Sequence, residues 1–308
     1  MAPSLPQTRR IPLPGHAPED VVIDHEGWVI AGVDDGRILR INPQTGEVRL
    51  LAHTGGRPLG LEVMPNGHIL CCDSPGGLLE IDPATGVSQT LVSTFEGLPL
   101  PFCSNVVVAK DGTIYFSASS HRYTIHEWRH DIVEGIPTGR LYRLRPGQGL
   151  ERLMDGLYFA NGLALAHDQS WIVVAETGTC RLHRYWLSGP KAGQHEVFAE
   201  LPGYPDNLSM SAAGLIWVAL VTPPNPVLKL VHKLPVAARR LVARLPEAAQ
   251  PKPEAMAWVM ALDADARVVH DFLWKDGSYS MVTGVCEHQG TVYLGSLAEE
   301  AILSFKLP

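Results

Sequence analysis

Apolar residues along the chain come in short alternating runs, and pairs of runs are separated by a turn that usually ends in glycine. The pattern occupies residues 21–30 around Glu26-Gly27, 61–70 around Asn66-Gly67, and 106–116 around Asp111-Gly112. It returns at 163–174 around Asp168-Gln169, 208–219 around Gly214, and 285–294 around Gln289-Gly290, which makes six copies. Asn-Gly and Asp-Gly between alternating runs signal hairpins, because tight primed turns need positive φ. A third and a fourth strand follow most copies. Residues 37–41 lead through Asn42-Pro43-Gln44-Thr45-Gly46 to 48–51, and 78–81 lead through Asp82-Pro83-Ala84-Thr85-Gly86 to a strand near Val92. Residues 139–144 and 181–186 begin the same pair in later copies. Four strands in a repeat of roughly 40 residues are the pattern of propeller blades. The last unit has three strands, and the segment around Arg9, Ile11 and Leu13 is expected to supply the fourth, closing the ring without an exposed edge. The expected fold is all-β, a six-bladed β-propeller forming a single domain over residues 1–308.

Two intervals exceed a bare blade. Residues 119–137 lengthen the third unit, and 222–255 lengthen the fifth. In the second of these, Val227, Leu230, Val231 and Leu234 recur at helical spacing, followed by Pro235 and then Leu241, Val242 and Leu245. Two short helices broken at Pro235 are expected, a helical lid over about 224–255. Lys229, Lys233, Arg239, Arg240 and Arg244 fall between Pro226 and Pro246, with no acidic residue. They read mainly as the solvated face of a lid packed over the propeller; an anionic substrate or a membrane surface is the other reading open to a basic amphipathic segment.

Composition narrows the function classes. With 25 basic against 32 acidic residues among 308, the formal charge is −7, which argues against nucleic acid or an anionic membrane surface as the dominant partner. Gly 29 and Pro 25 suit a turn-rich β chain. The first ten residues hold no apolar leader core, and no stretch reaches the roughly 20 apolar residues of a membrane span, so a cytoplasmic location is expected. Cys71, Cys72, Cys103, Cys180 and Cys286 form no ligand or disulfide spacing and read as reduced thiols.

The inner strand of a propeller blade lines the central channel, so residues at its start can converge. Counting back eight positions from the hairpin glycine or its equivalent gives Glu19, Leu59, Ser104, Asn161, Asp206 and Val282. Two carboxylates and an amide carbonyl are oxygen donors of the kind hard cations take, with Ser104 or its neighbour Asn105 as a weaker fourth. No His or Cys falls in this register, which favours calcium over zinc. Polar residues also precede strands for ordinary reasons, and Asp206-Asn207 after Pro205 equally fits a turn.

Longer stretches then match a known family. The run 159–165 (Phe-Ala-Asn-Gly-Leu-Ala-Leu), Val174-Ala175-Glu176-Thr177, Tyr185-Trp186, Gly189-Pro190-Lys191-Ala192-Gly193 and 201–207 (Leu-Pro-Gly-Tyr-Pro-Asp-Asn) resemble the strictosidine synthase-like family, most of all its adipocyte plasma membrane-associated type. More distantly the chain is similar to regucalcin and the gluconolactonases. The resemblance runs from Pro18-Glu19-Asp20 to 293–297. It implies a six-bladed propeller and, in the calcium-dependent branch, a Ca²⁺ held in the channel by Glu19, Asn161 and Asp206. That branch hydrolyses lactones, esters or phosphotriesters, and the resemblance implies that Asp206 is the base that activates water; direct attack by a carboxylate is the alternative that the sequence leaves open. An Asn usual in the third blade appears here as Ser104, with Asn105 one position on. In strictosidine synthases proper, a last-blade Glu acts on the amine substrate. The aligned residue here is Thr283, so that condensation is not expected.

The long third unit adds His121, Tyr123, His126 and His130 near the expected channel mouth. His121, directly after Ser119-Ser120, is the best placed to move protons, and Ser104, Asn105, Tyr123, Asn207 and Thr283 complete the expected substrate contacts. Phe102, Tyr158, Phe159, Tyr204, Trp28 and Met281 are candidates for an apolar pocket. His126-Glu127-Trp128-Arg129-His130 is a literal H-E-x-x-H, but it is short and lies between propeller strands, so a zinc peptidase is not expected. The expected activity is metal-dependent hydrolysis of a small-molecule lactone or carboxylic ester. The alternative is a non-catalytic propeller that binds small molecules or protein.

Overall fold

A computed structural model describes residues 5–246 and 254–308. Six four-stranded antiparallel sheets follow one another around a ring, with a small ribbon, Thr94–Phe95 with Leu98–Pro99, added after the second. The inner strands are Val21–Ile23, Arg57–Val63, Phe102–Val108, Ala160–Leu165, Pro205–Met210 and Val282–His288. The ring closes as the hydrophobic pattern requires. Thr8–Pro12 pairs with Ala301–Lys306 and places Ile11 opposite Ile302, making the outer strand of blade 6. Six apolar wedges between neighbouring blades form the core, for example Ile30, Ile38 and Ala52 of blade 1 against Leu61, Ile69 and Ile81 of blade 2. A seventh cluster, Leu59, Phe102 and Phe159, lies above the channel under Ile125, Trp128 and Ile132.

Strand direction sorts the connections. Each inner strand runs from the upper to the lower end and turns back through a tight hairpin there, such as Met64–His68, closed by Met64 N–H and Gly67 N–H bonds. The links between second and third strands therefore lie at the upper end, and both long insertions are links of this kind. In blade 3 the link holds a 3-10 turn, Ile125–Glu127, capped by the Thr124–Glu127 pair, and then α1 (Trp128–Glu134), whose exit is Gly135 at φ 53°. In blade 5 it holds α2 (Pro226–Val231) and α3 (Val236–Ala243). Asn225 caps α2 by accepting from the N–H groups of Val227 and Leu228, Pro226 fills its first position, and Pro235 separates it from α3. The insertions pack on each other: the His232 ring meets the Ile132 carbonyl at 2.9 Å, and Arg239 donates to the Gly135 carbonyl at 3.1 Å. Among the described residues no helix is long and apolar enough to cross a membrane. All five cysteines are free, four of them buried.

Candidate metal centre and channel cavity

A recurring irregularity builds the site. In blades 2 to 6 the ladder between inner and second strands slips so that two inner-strand residues oppose one, and blade 3 has a second shift between Phe102 and Cys103. Such a bulge turns two consecutive side chains toward the same side. The pairs are Leu59-Gly60, Ser104-Asn105, Asn161-Gly162, Asp206-Asn207 and Thr283-Gly284, and Glu19-Asp20 takes the same place in blade 1. Strand pairing puts Thr283, not Val282, in the ring with Glu19. The blade-6 hairpin is one residue shorter than those of blades 1, 2, 3 and 5, which shifts the eight-residue count.

The first members of the pairs make an upper ring. Ser104 Oγ donates to Asn161 Oδ1 at 2.9 Å, and Asn161 Nδ2 donates to Asp206 Oδ1 at 2.7 Å. Glu19 Oε1 accepts from Asn207 Nδ2 at 3.2 Å, while Glu19 Oε2 is buried without a hydrogen-bond partner. The second members make a waist in which polar residues alternate with glycine: Asp20, Gly60, Asn105, Gly162, Asn207, Gly284. Asn105 Nδ2 reaches Asn207 Oδ1 at 3.1 Å and Asp20 Oδ2 at 3.4 Å, closing the channel. These side chains also tie the blades together: Asp20 Oδ2 accepts the Leu61 N–H, and Asn105 Oδ1 accepts the Leu163 N–H, both at 2.9 Å. The glycines are steric necessities. A Cβ on Gly162 would lie 2.2 Å from the Leu208 nitrogen, and one on Gly60 2.4 Å from the Asn105 Cα.

Above the ring sits a cavity of about 590 Å³. Glu19, Ser104, Asn161, Thr177 and Asp206 line its polar floor. Its walls are mostly apolar, with Phe102, Phe159 and Met281 from the blades, Trp128 and Ile132 of α1, and Leu228 and Val231 of α2; Arg129 and Asn225 are polar exceptions. Desolvation strongly favours the neutral forms of the floor acids. Burial, with repulsion from Asp206 and Asp20, holds Glu19 well above the usual carboxylate range, opposed by Arg57 and by the Asn207 hydrogen bond. Burial raises Asp206 to about 8 and Asp20 to about 7. Two buried acids, one with an unpartnered oxygen, face the same cavity; the cations near it are Arg57, which acts on Glu19, and Arg129 in the cavity lining. Among the described residues no three His, Cys, Asp or Glu side chains form a metal cage by themselves. The donors that converge here are two carboxylates with an amide and a hydroxyl, an all-oxygen set that fits a hard divalent cation.

The strictosidine synthase family model matches residues 104–190, and the strictosidine synthase-like N-terminal model matches 4–41. The chain is 32% identical over 317 residues to Protein STRICTOSIDINE SYNTHASE-LIKE 10 of Arabidopsis thaliana, covering 91% of this chain and 82% of that one. It is 33% identical over 306 residues to the Adipocyte plasma membrane-associated protein of Gallus gallus, covering 91% and 73%. This chain belongs to the strictosidine synthase-like family. Among solved structures it is similar to a gluconolactonase from Xanthomonas campestris, with a TM-score of 0.72 and 17% identity over 98% of this chain and 90% of that one. It is also similar to a calcium-binding regucalcin from Agrobacterium tumefaciens, with a TM-score of 0.66 and 15% identity over 97% and 93%. At these identities what the two structures show of this chain is the propeller fold.

In this strictosidine synthase-like chain, Thr283 occupies the last-blade position, buried, with its hydroxyl donating to the Glu19 carbonyl at 2.7 Å. It offers no acid or base to the cavity. Asn105 and Asn207 lie in the waist below the upper ring, so neither lines the upper cavity. His121 is exposed on the rim, outside the cavity lining. Tyr123 is turned away: its hydroxyl donates to Glu134 Oε1 at 2.6 Å. The insertion that bears both folds back as a cap, and it is the Ile125, Trp128 and Ile132 side that faces inward. Of the aromatic candidates, Phe102, Phe159 and Tyr204 line the cavity with Met281. Trp28 is stacked under Arg40 and Arg49 at the lower rim, and Tyr158 is 39% exposed. The H-E-x-x-H run straddles a 3-10 turn and α1; Glu127 is spent on capping and His126 is exposed. Sequence reasoning missed Asp20. Its signal was the alternation of Gly60, Gly162 and Gly284 with polar residues one position after the upper ring.

Proposed function

We propose that this protein is a divalent-cation-dependent hydrolase, acting on the carbonyl of a lactone or carboxylic ester with a sizeable apolar portion. The observation that carries the reading is the unpartnered, buried Glu19 Oε2 beside Asn161 and Asp206 on the floor of an apolar cavity. Glu19, Asn161 and Asp206 would hold the cation, and calcium suits their oxygens. The fold likeness to a gluconolactonase and to a calcium-binding regucalcin supports the same reading. A bound cation supplies Lewis-acid polarisation of the substrate carbonyl.

The residues of the chain do the rest. Phe102, Phe159, Trp128 and Ile132 take the apolar part of the substrate and exclude bulk water from the floor. Asp206 is the acceptor for the proton of the attacking water and returns it to the leaving oxygen. Its hydrogen bond from Asn161 Nδ2 fixes the carboxylate plane for that exchange. Ser104, which donates to Asn161 Oδ1, orients the amide. The waist below prevents water from reaching the floor through the lower mouth.

A panel of aryl esters and lactones, assayed with added Ca²⁺ and after chelation, tests this. Turnover that is lost with chelator and restored by Ca²⁺ supports it. Protein that binds such compounds but turns over none with any divalent ion indicates a non-catalytic binding propeller. The closed Ser104–Asn161–Asp206 chain of hydrogen bonds is compatible with that second reading.

A further inference from the structure

The blade-5 insertion has two apolar sides. Leu228 and Val231 of α2 and Val242 of α3 line the cavity. On the outer side Leu230 is 62% exposed, Leu234 43% and Leu241 68%, and Val227 at the edge is 52% exposed. A single wet face and a single dry face is the ordinary arrangement for a surface helix. Here both faces are apolar, and the outer one is concentrated in one short stretch of chain.

Charge separates this patch from the rest of the molecule. The insertion from Pro226 to Pro246 holds +5 and the chain −7, leaving −12 for everything else. Arg239 is drawn inward to carbonyls of α1's C-terminal turn, and Arg240 pairs with Glu134 at 3.6 Å. Lys229, Lys233 and Arg244 are exposed and have no ion pair among the described residues. In sequence they alternate with the exposed leucines: Lys229 precedes Leu230 on α2, Lys233 precedes Leu234 in the turn between the helices, and Arg244 follows the helix that bears Leu241. Exposed leucines interspersed with unpaired cations, on a protein that is otherwise acidic, complement a surface that is both apolar and negative. An anionic lipid bilayer combines the two, with acyl chains below a layer of phosphate.

We infer that the outer face of α2 and α3 docks this protein on anionic lipid bilayers, with Leu230 and Leu241 reaching below the headgroups and Lys229, Lys233 and Arg244 at the phosphate level. The acidic remainder of the molecule is repelled by the same surface, so docking is oriented and the lid side faces the bilayer. The inference stands on the lid alone, independently of whether the channel is catalytic.

The test is co-sedimentation of the full chain with vesicles of phosphatidylcholine and of phosphatidylcholine mixed with phosphatidylserine. The expected result is binding to the mixed vesicles and not to phosphatidylcholine alone, with affinity falling about tenfold or more as salt is raised past the screening range. Lys229→Glu with Lys233→Glu is expected to abolish it, and Leu230→Asp with Leu241→Asp likewise. All four positions are exposed and outside the cavity lining, so circular dichroism should show an unchanged fold. Equal sedimentation with both kinds of vesicle, or no loss in either double variant, overturns the inference. So does a concentration-dependent dimer that Leu230→Asp with Leu241→Asp disperses, since the face would then be an interface between copies of this chain.

Discussion

The two ends of the channel are built from the same six inner strands and separated by a single ring of residues, yet they differ in every property that matters for chemistry. The upper end has a roof of three helices, an apolar cavity of about 590 Å³ and a floor of convergent oxygens. The lower end has tight hairpins and a cavity of about 330 Å³ with no lid. It too contains an acid: Glu62 stands in the inner-strand register of Val22, Val107, Ala164, Ser209 and Cys286, and burial raises it to about 8 with Asp20 adding repulsion. An elevated carboxyl therefore does not by itself mark a site. What distinguishes the upper end is convergence. There the bulge brings a Glu, an Asp, an Asn and a Ser to one level, whereas the lower level holds one carboxylate among mostly apolar neighbours. The elaboration is one-sided because both long insertions are links between second and third strands, which lie above.

The largest expected break in this contrast is at the upper floor. Asp206→Ala should lower hydrolysis by about 10²–10⁴-fold with the fold intact, whereas Glu62→Gln should leave turnover unchanged. Steady-state kinetics with circular dichroism compares them directly. A folded Asp206→Ala protein with full activity would remove Asp206 from the mechanism.

Next in size is the wall of the upper cavity. Ile132→Ala should reduce kcat/KM by about tenfold or more for substrates with a large apolar group while sparing the smallest esters, because only the former use the space beneath α1. Uniform loss across the panel would mean that α1 matters for structure and not for selectivity.

The waist that divides the ends can be attacked separately. Gly162→Ala should destabilise the protein by roughly 1–3 kcal/mol in urea unfolding, since the added Cβ meets backbone of the next blade. Gly46→Ala serves as the comparison, because nothing lies within 4 Å of a Cβ there, although its φ of +79° carries a strain of its own.

The lower mouth is expected to show in the pH dependence of stability and not in turnover. For a carboxyl raised on folding, the folded state keeps its proton while the unfolded chain releases it. Stability from Glu62 is thus fully present below about 4.5 and is lost as pH climbs to about 8. Glu62→Gln should flatten part of that decline in thermal scans across the same window. An unchanged slope would mean that Glu62 is hydrated in the native protein.

Much of the fold was legible before any coordinates, and for a definite reason. Six hairpins with Asn-Gly, Asp-Gly or similar turns, an unpaired three-strand last unit and an apolar N-terminal segment leave few ways to close a sheet. Glu19, Asn161 and Asp206 were legible as a set because equal spacing from a hairpin turn places residues at equal height. The same count failed in blade 6, where the turn is one residue shorter, and it overlooked Asp20 because it allowed one channel residue per blade. A bulge exposes two, and nothing in a period-2 pattern announces it. α1 was overlooked as well, although Thr124 with Glu127 is a capping pair and Trp128 and Ile132 are spaced one turn apart. The expected roles of His121 and Tyr123 rested on chain proximity to the channel mouth. The direction in which the insertion folds is set by its contacts with α3, from a segment about a hundred residues away.

The most direct test of the central claim is calorimetric titration of chelator-treated protein with Ca²⁺, alongside Glu19→Gln and Asp206→Asn. One Ca²⁺ per chain in the wild-type protein, with binding lost in both variants, is the result predicted. Absence of binding in the wild-type protein, or undiminished binding in both variants, would contradict the assignment of the upper ring as a metal centre.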